Sequence, residues 1–119
     1  MTLKECYQEL KGDYDEANER FMTESIMERF VLKFPKDGSM AELKAAVEAG
    51  DIEGSFKAAH TLKGLAANMA FSNLMLSAAE LTEQLRSCSV PADKELLAKV
   101  EEAYDLVIAT IRKYEGKED

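Results

Sequence analysis

Pairs of residues that start helices recur along this chain, and they set what it can fold into. Thr2 with Glu5, Asp13 with Glu16 and Ser39 with Glu42 each put a side-chain acceptor three positions before an acid. That spacing satisfies free N–H groups at a helix start. Strand signals are nearly absent. Val and Ile are sparse, and no stretch alternates at period two. The expectation is an all-α chain.

Apolar spacing divides it into helices. A first short helix carries Leu3, Cys6, Tyr7 and Leu10 and ends at Gly12. A second runs through Ala17 to about Arg20. Thr23 or Glu24 opens a third, striped by Ile26, Met27, Phe30, Val31 and Phe34 and interrupted by Pro35 and Gly38. Ser39 opens a helix with Leu43, Ala46 and Val47, closed by Gly50. Asp51 opens the next, whose apolar side is Phe56, Ala59, Leu62, Ala66 and Met69. A tight turn is predicted between Asn68 and Ser72. Another helix then runs to about Ser87, with Phe71, Leu74, Ala78, Leu81 and Leu85 inward. After a loop at Ser89–Pro91 the last helix spans about Ala92 to Tyr114. It buries Leu96, Val100, Ala103, Tyr104, Val107 and Ile111.

Long helices with short joints make an antiparallel four-helix bundle, with short additional helices at the N-terminus. The first bundle member comes from residues 24–49, and either Ser25–Phe34 or Met40–Ala49 is its principal part. The chain of 119 residues reads as one domain, with 1–22 as accessory helices and 115–119 as a frayed tail.

Charge narrows the function. There are 23 acidic and 15 basic residues, a net charge of -8. Nucleic acid and anionic membrane surfaces are therefore poor partners. No apolar run approaches the length of about 18 residues that spans a bilayer, and the N-terminus is not a secretory signal. Cys6 and Cys88 share no redox or metal-ligand spacing and read as small buried or half-buried residues. A reducing cytoplasm fits them.

His60 is the one histidine. It lies on the flank of its helix's apolar stripe, near Gly64 and Ala67, with Lys57 and Lys63 three positions either side. A histidine at such a border is often a half-buried spacer. Gly64 argues otherwise, because glycine inside a helix costs about 0.8–1.0 kcal/mol against alanine. Close approach of another surface is one reason to keep it. Metal motifs, a nucleophile elbow and a P-loop are all missing. What remains is a nucleophile without machinery of its own. A neutral imidazole can attack a phosphoryl group, and Lys63, with Lys57 sharing the task, can offset the charge.

The run HTLKGLAANMAF, residues 60–71, resembles the signature of the histidine-containing phosphotransfer (HPt) domain. His60, Leu62, Lys63 and Gly64 match it in order. The preceding MAELKAAVEAGDIEGSFKAAH and the following AAELTEQLR are similar to the family's flanking helices, so the resemblance covers roughly 24–114. Two positions depart from it. Many members have glycine where Ala70 stands, which suggests a slightly different turn, and often glycine where Ala67 stands.

The resemblance implies a phosphorelay intermediate, not an autonomous enzyme. His60 would accept a phosphoryl group from a response-regulator receiver aspartate and pass it to another. Lys63 would stabilise charge and Gly64 would give access. Glu53, Lys57, Leu65, Ala67, Phe71 and Met75 would form the docking face. The protein itself would hold no cofactor or metal, and Mg2+ would sit on the receiver. Partners would be receiver domains, including that of a hybrid histidine kinase, and the protein would act as a cytoplasmic monomer. Two other readings stay open: a helical adaptor that binds a receiver or kinase without accepting phosphate, and a purely structural bundle. Exposure of His60 discriminates among them.

Overall fold

Five helices begin on a residue whose side chain accepts a hydrogen bond from the backbone three positions on. These residues are Thr2, Asp13, Thr23, Asp51 and Asp93. Each such cap is worth about 1 kcal/mol. The computed structural model describes residues 1–116. Among them it contains seven α-helices and no strand: α1 Leu3–Glu9, α2 Tyr14–Phe21, α3 Glu24–Lys33, α4 Ser39–Glu48, α5 Ile52–Asn68, α6 Ser72–Leu85 and α7 Lys94–Glu115. A 3-10 turn, Phe34–Lys36, follows α3 where Pro35 removes a backbone donor.

His60 lies on α5, which packs between α4 and α6, and α6 packs in turn on α7. Of the two candidates within residues 24–49, α4 is therefore the neighbour of the His60 helix. Helix α3 instead touches α2 and α7. Ala58, Ala59, Leu62 and Ala66 form the buried face of α5. The alanines let the neighbouring helices come close. Leu43 of α4, Leu74, Ala78 and Leu81 of α6, and Val100, Val107 and Ile111 of α7 complete the same core.

Several local expectations are corrected. Ser39 does not cap α4. It is the first helical residue and is buried, and its N–H is taken by Asp37 Oδ1 at 2.8 Å. Ile26 and Phe30 are exposed, Phe30 by 46%, because the buried face of α3 is the narrower stripe of Met27 and Val31. Phe30 stacks on Phe21 instead, at 5.1 Å between ring centroids. Cys88 is exposed, in the connection after α6, with φ at 54°. Helix α7 starts two residues later than expected, because Asp93 is its cap. Glu115 is still helical and Gly116 closes α7 with φ at 77°. Residues 115 and 116 of the expected tail thus belong to the end of α7, and residues 117–119 lie outside the described residues.

The accessory helices are fastened to the joint between α5 and α6. Tyr7 donates its hydroxyl to the carbonyl of Met69 at 2.8 Å. The N–H of Asp13 bonds the carbonyl of Ala70 at 2.8 Å, and that of Asn73 bonds the carbonyl of Lys11 at 3.1 Å. A Cβ on Gly12 would meet the Ala70 carbonyl oxygen at 2.7 Å, so the two turns touch backbone to backbone.

Candidate functional site

Helix α5 presents most of its candidate side chains on the face away from its alanine seam. Its start is held by Asp51, which accepts from Gly54 N–H at 2.9 Å. Its end is held by Arg20 of α2, whose Nη1 donates to the carbonyls of Ala67 at 2.8 Å and Asn68 at 2.9 Å. The last carbonyls of a helix lack the usual partner one turn on; that of Ala67 also accepts from the N–H of Ala70 at 3.1 Å, and a cation there suits the helix dipole. The helix that carries His60 is therefore capped at both ends.

His60 is exposed, and among the described residues neither ring nitrogen makes a hydrogen bond. Its ring lies beside Phe56, one turn back, at 6.1 Å between centroids and 21° between planes. On the Phe56 ring sits the Arg86 guanidinium, 5.6 Å from the centroid. Glu83 grips Arg86 through Nε at 3.0 Å and 3.1 Å and through Nη2 at 2.6 Å. That hydrogen-bonded guanidinium holds the Glu83 carboxyl below the usual carboxylate range, and Lys63 pulls in the same direction.

The residues picked from sequence separate into three groups. Gly64 and Ala67 share the exposed face with His60. A Cβ added at Gly64 meets nothing within 4 Å, so packing inside this chain does not require glycine there. Glu53 and Lys57 lie on that face too, joined by an exposed ion pair at 3.3 Å. Lys63 is half-buried, on the side toward Glu83.

Leu65 and Met75 are half-buried and packed against the core, so they offer edges and not free apolar surface. Phe71 is corrected as a docking residue, while its place in the inward set of the next helix agrees with the structure. It is fully buried, with its ring 5.5 Å from Tyr7 and 5.1 Å from Phe34, and cannot meet a partner. The helical spacing that put it beneath His60 ends at Asn68, and the turn carries Phe71 inward.

A family model, Hpt domain, matches residues 25–110. The chain belongs to the Hpt domain family. Neither a curated protein nor a solved structure matches it. Hpt domains serve as histidine phosphotransfer intermediates in phosphorelays and interact with response-regulator receiver domains. The matched span holds α5 and α6 whole and leaves out α1, α2 and the end of α7. The Arg20 cap on the Hpt helix therefore comes from outside it.

Ala70 takes φ at 57°, the left-handed conformation that glycine adopts freely. Alanine standing where glycine is common thus keeps a turn with glycine-type geometry, held under strain. Among the described residues no helix is long and apolar enough to cross a membrane, and no cluster of three metal-ligating side chains exists.

Sequence reasoning missed Arg20 and Arg86. Each acts across a large sequence separation, and neither separation carries a local pattern. Phe56 was read as core, yet it is half-buried and its position one turn before His60 was a usable sign.

Proposed function

We propose that His60 accepts a phosphoryl group from the aspartyl phosphate of one receiver domain and passes it to the aspartate of another. The observation that carries this reading is an exposed imidazole whose nitrogens make no hydrogen bond among the described residues, beside a glycine with open space above it. A ring nitrogen attacks phosphorus. The N–P bond forms as the bond from phosphorus to the aspartate oxygen breaks, and the carboxylate leaves with the electron pair. The phosphorylated ring keeps the proton on its other nitrogen or sheds it to solvent. Transfer onward is the same exchange in reverse.

Positioning and charge neutralisation are the main needs of phosphoryl transfer. In this reading the receiver supplies Mg2+ and the acidic pocket, and this chain supplies the nucleophile and the Lys63 amine. We read α4 to α7 as the antiparallel four-helix bundle that holds the imidazole out from a rigid frame. The protein acts as a monomer in the cytoplasm, with no turnover of its own. Glu53, Lys57, Gly64 and Ala67 form the docking face, with the edges of Leu65 and Met75 at its margins. An adaptor that never accepts phosphate would use the same face but would have no use for a free imidazole.

The test is label transfer from a receiver phosphorylated on aspartate. His60→Gln should abolish acceptance while helical content stays unchanged, and the bond formed should be acid-labile and base-stable. Label persisting in the substituted protein removes His60 from the role.

A further inference from the structure

An exposed histidine on a helix ordinarily samples more than one χ1 well. A relay nucleophile gains from holding one, because transfer depends on the direction in which the ring nitrogen points. Helical side chains lean toward the preceding turn. Here the His60 ring leans onto Phe56, at a separation and tilt within the range of offset aromatic pairs.

Phe56 is itself held from two sides. Its body is half-buried against the core. Its ring carries the Arg86 guanidinium within cation–π reach. The fork of hydrogen bonds to Glu83 fixes the plane of that guanidinium. A continuous line of contacts therefore runs from α6 to the imidazole: Glu83, Arg86, Phe56, His60.

We infer that Phe56 is a positioning residue for His60, and that Arg86, oriented by Glu83, fixes Phe56 in turn. This rests on the reading of His60 as phosphoacceptor. The contact works on one face of the ring and leaves both nitrogens open to a receiver. The Arg86 contact adds a second hold on Phe56 besides its packing against the core.

The experiment compares the full chain with Phe56→Leu, Phe56→Tyr and Arg86→Gln, all at a temperature where each is folded. Three-bond NMR couplings at the His60 β-protons report the χ1 populations. Transfer from a phosphorylated receiver, followed over a range of receiver concentrations, separates maximal rate from half-saturating concentration. Phe56→Leu keeps apolar bulk and loses the ring. It should average the His60 couplings and lower the maximal rate by about three- to tenfold, with half-saturation nearly unchanged. Phe56→Tyr keeps the ring and should restore both. Arg86→Gln leaves Phe56 in place and should give a smaller change in the same direction, so the idea stays testable even if Phe56→Leu fails to fold.

Unchanged couplings and maximal rate in Phe56→Leu and Arg86→Gln would overturn the inference. So would an effect confined to half-saturation, which would make Phe56 a docking contact. If the unsubstituted protein takes no label, the phosphotransfer reading fails. The couplings alone then decide: averaging in Phe56→Leu sustains the positioning role, and unchanged couplings refute it.

Discussion

Arg20 of α2 closes the end of α5 by donating to the carbonyls of Ala67 and Asn68, 47 and 48 residues away in sequence. The same guanidinium is steadied by Glu16 at 3.0 Å. A side chain outside the span shared with the Hpt family therefore completes the helix that carries the candidate phosphoacceptor.

Arg20→Ala should remove both bonds. The site is partly solvated, so the expected loss is about 0.5–1.5 kcal/mol, below that of a buried charged hydrogen bond. Urea denaturation measures it. Amide exchange should quicken in the last turn of α5 and at the start of α6, and not in the middle of α7. Uniform change across all helices would mean that Arg20 acts on global stability alone.

One substitution should have opposite signs at two glycines. Gly64→Ala adds a methyl into open space on a helix, and the helix gains about 0.8–1.0 kcal/mol. Gly12→Ala drives a methyl toward the Ala70 carbonyl and should cost about 1–3 kcal/mol. Thermal unfolding of the two variants checks the pair. The bulkier Gly64→Gln should fold well and yet slow phosphoryl acceptance, because its side chain rises beside the imidazole. Equal transfer rates would remove access as the reason for this glycine.

Ala70 holds a left-handed backbone at the α5–α6 turn. A β-branched side chain tolerates that conformation far worse than alanine does. Ala70→Val should lose about 2 kcal/mol or more. Ala70→Gly should stay within about 1 kcal/mol of the parent, since relief of strain is offset by a freer unfolded chain and a lost buried methyl. If valine is accepted without loss, the turn has a conformation other than the one described.

Lys63 is expected to act on charge and not on fold. Phosphorylation adds negative charge to a chain already at -8, and Lys63 is one turn from the ring. An amine at a partly exposed site offsets about 0.2–1 kcal/mol. Lys63→Ala should slow transfer by a modest factor, and raising salt should shrink the difference between the two proteins. Transfer rates at two salt concentrations test this. Loss of cooperative unfolding in the variant would assign Lys63 to the scaffold.

The two cysteines should react very differently. Burial pushes the Cys6 thiol up to about 11, with Glu9 adding to the effect, whereas Cys88 is exposed. At mildly alkaline pH a thiol reagent should modify one cysteine rapidly and the other only after denaturation. Because the folded value is raised, the neutral Cys6 thiol stays compatible with the fold until pH approaches that value, and stability should fall only beyond the ordinary thiol range. Rapid reaction of both thiols in the native protein would contradict the burial of Cys6.

What the sequence settles by itself is local. Thr2, Asp13 and Asp51 mark helix starts because a cap and the N–H it satisfies lie within one turn of each other. The face shared by His60, Gly64 and Ala67 follows from helical periodicity, and the motif around His60 identifies the family. Ser39 looked like the same kind of cap, but Asp37 competes for the role two residues earlier, and only folded geometry decides between them.

Tertiary structure decides the rest. Periodicity cannot say which of α3 and α4 lies on α5, since both carry an apolar stripe. Nor does it choose between two places for Phe71, beneath His60 or in the inward stripe of the next helix; one left-handed residue after α5 redirects the chain and sends the ring between Tyr7 and Phe34. Glu83–Arg86 and Phe56–His60 are one-turn pairs that helical spacing already offers, but the Arg20 cap and the Arg86 contact on Phe56 join distant segments. Such contacts come into being only when packed helices bring the segments together, so no spacing within the chain encodes them.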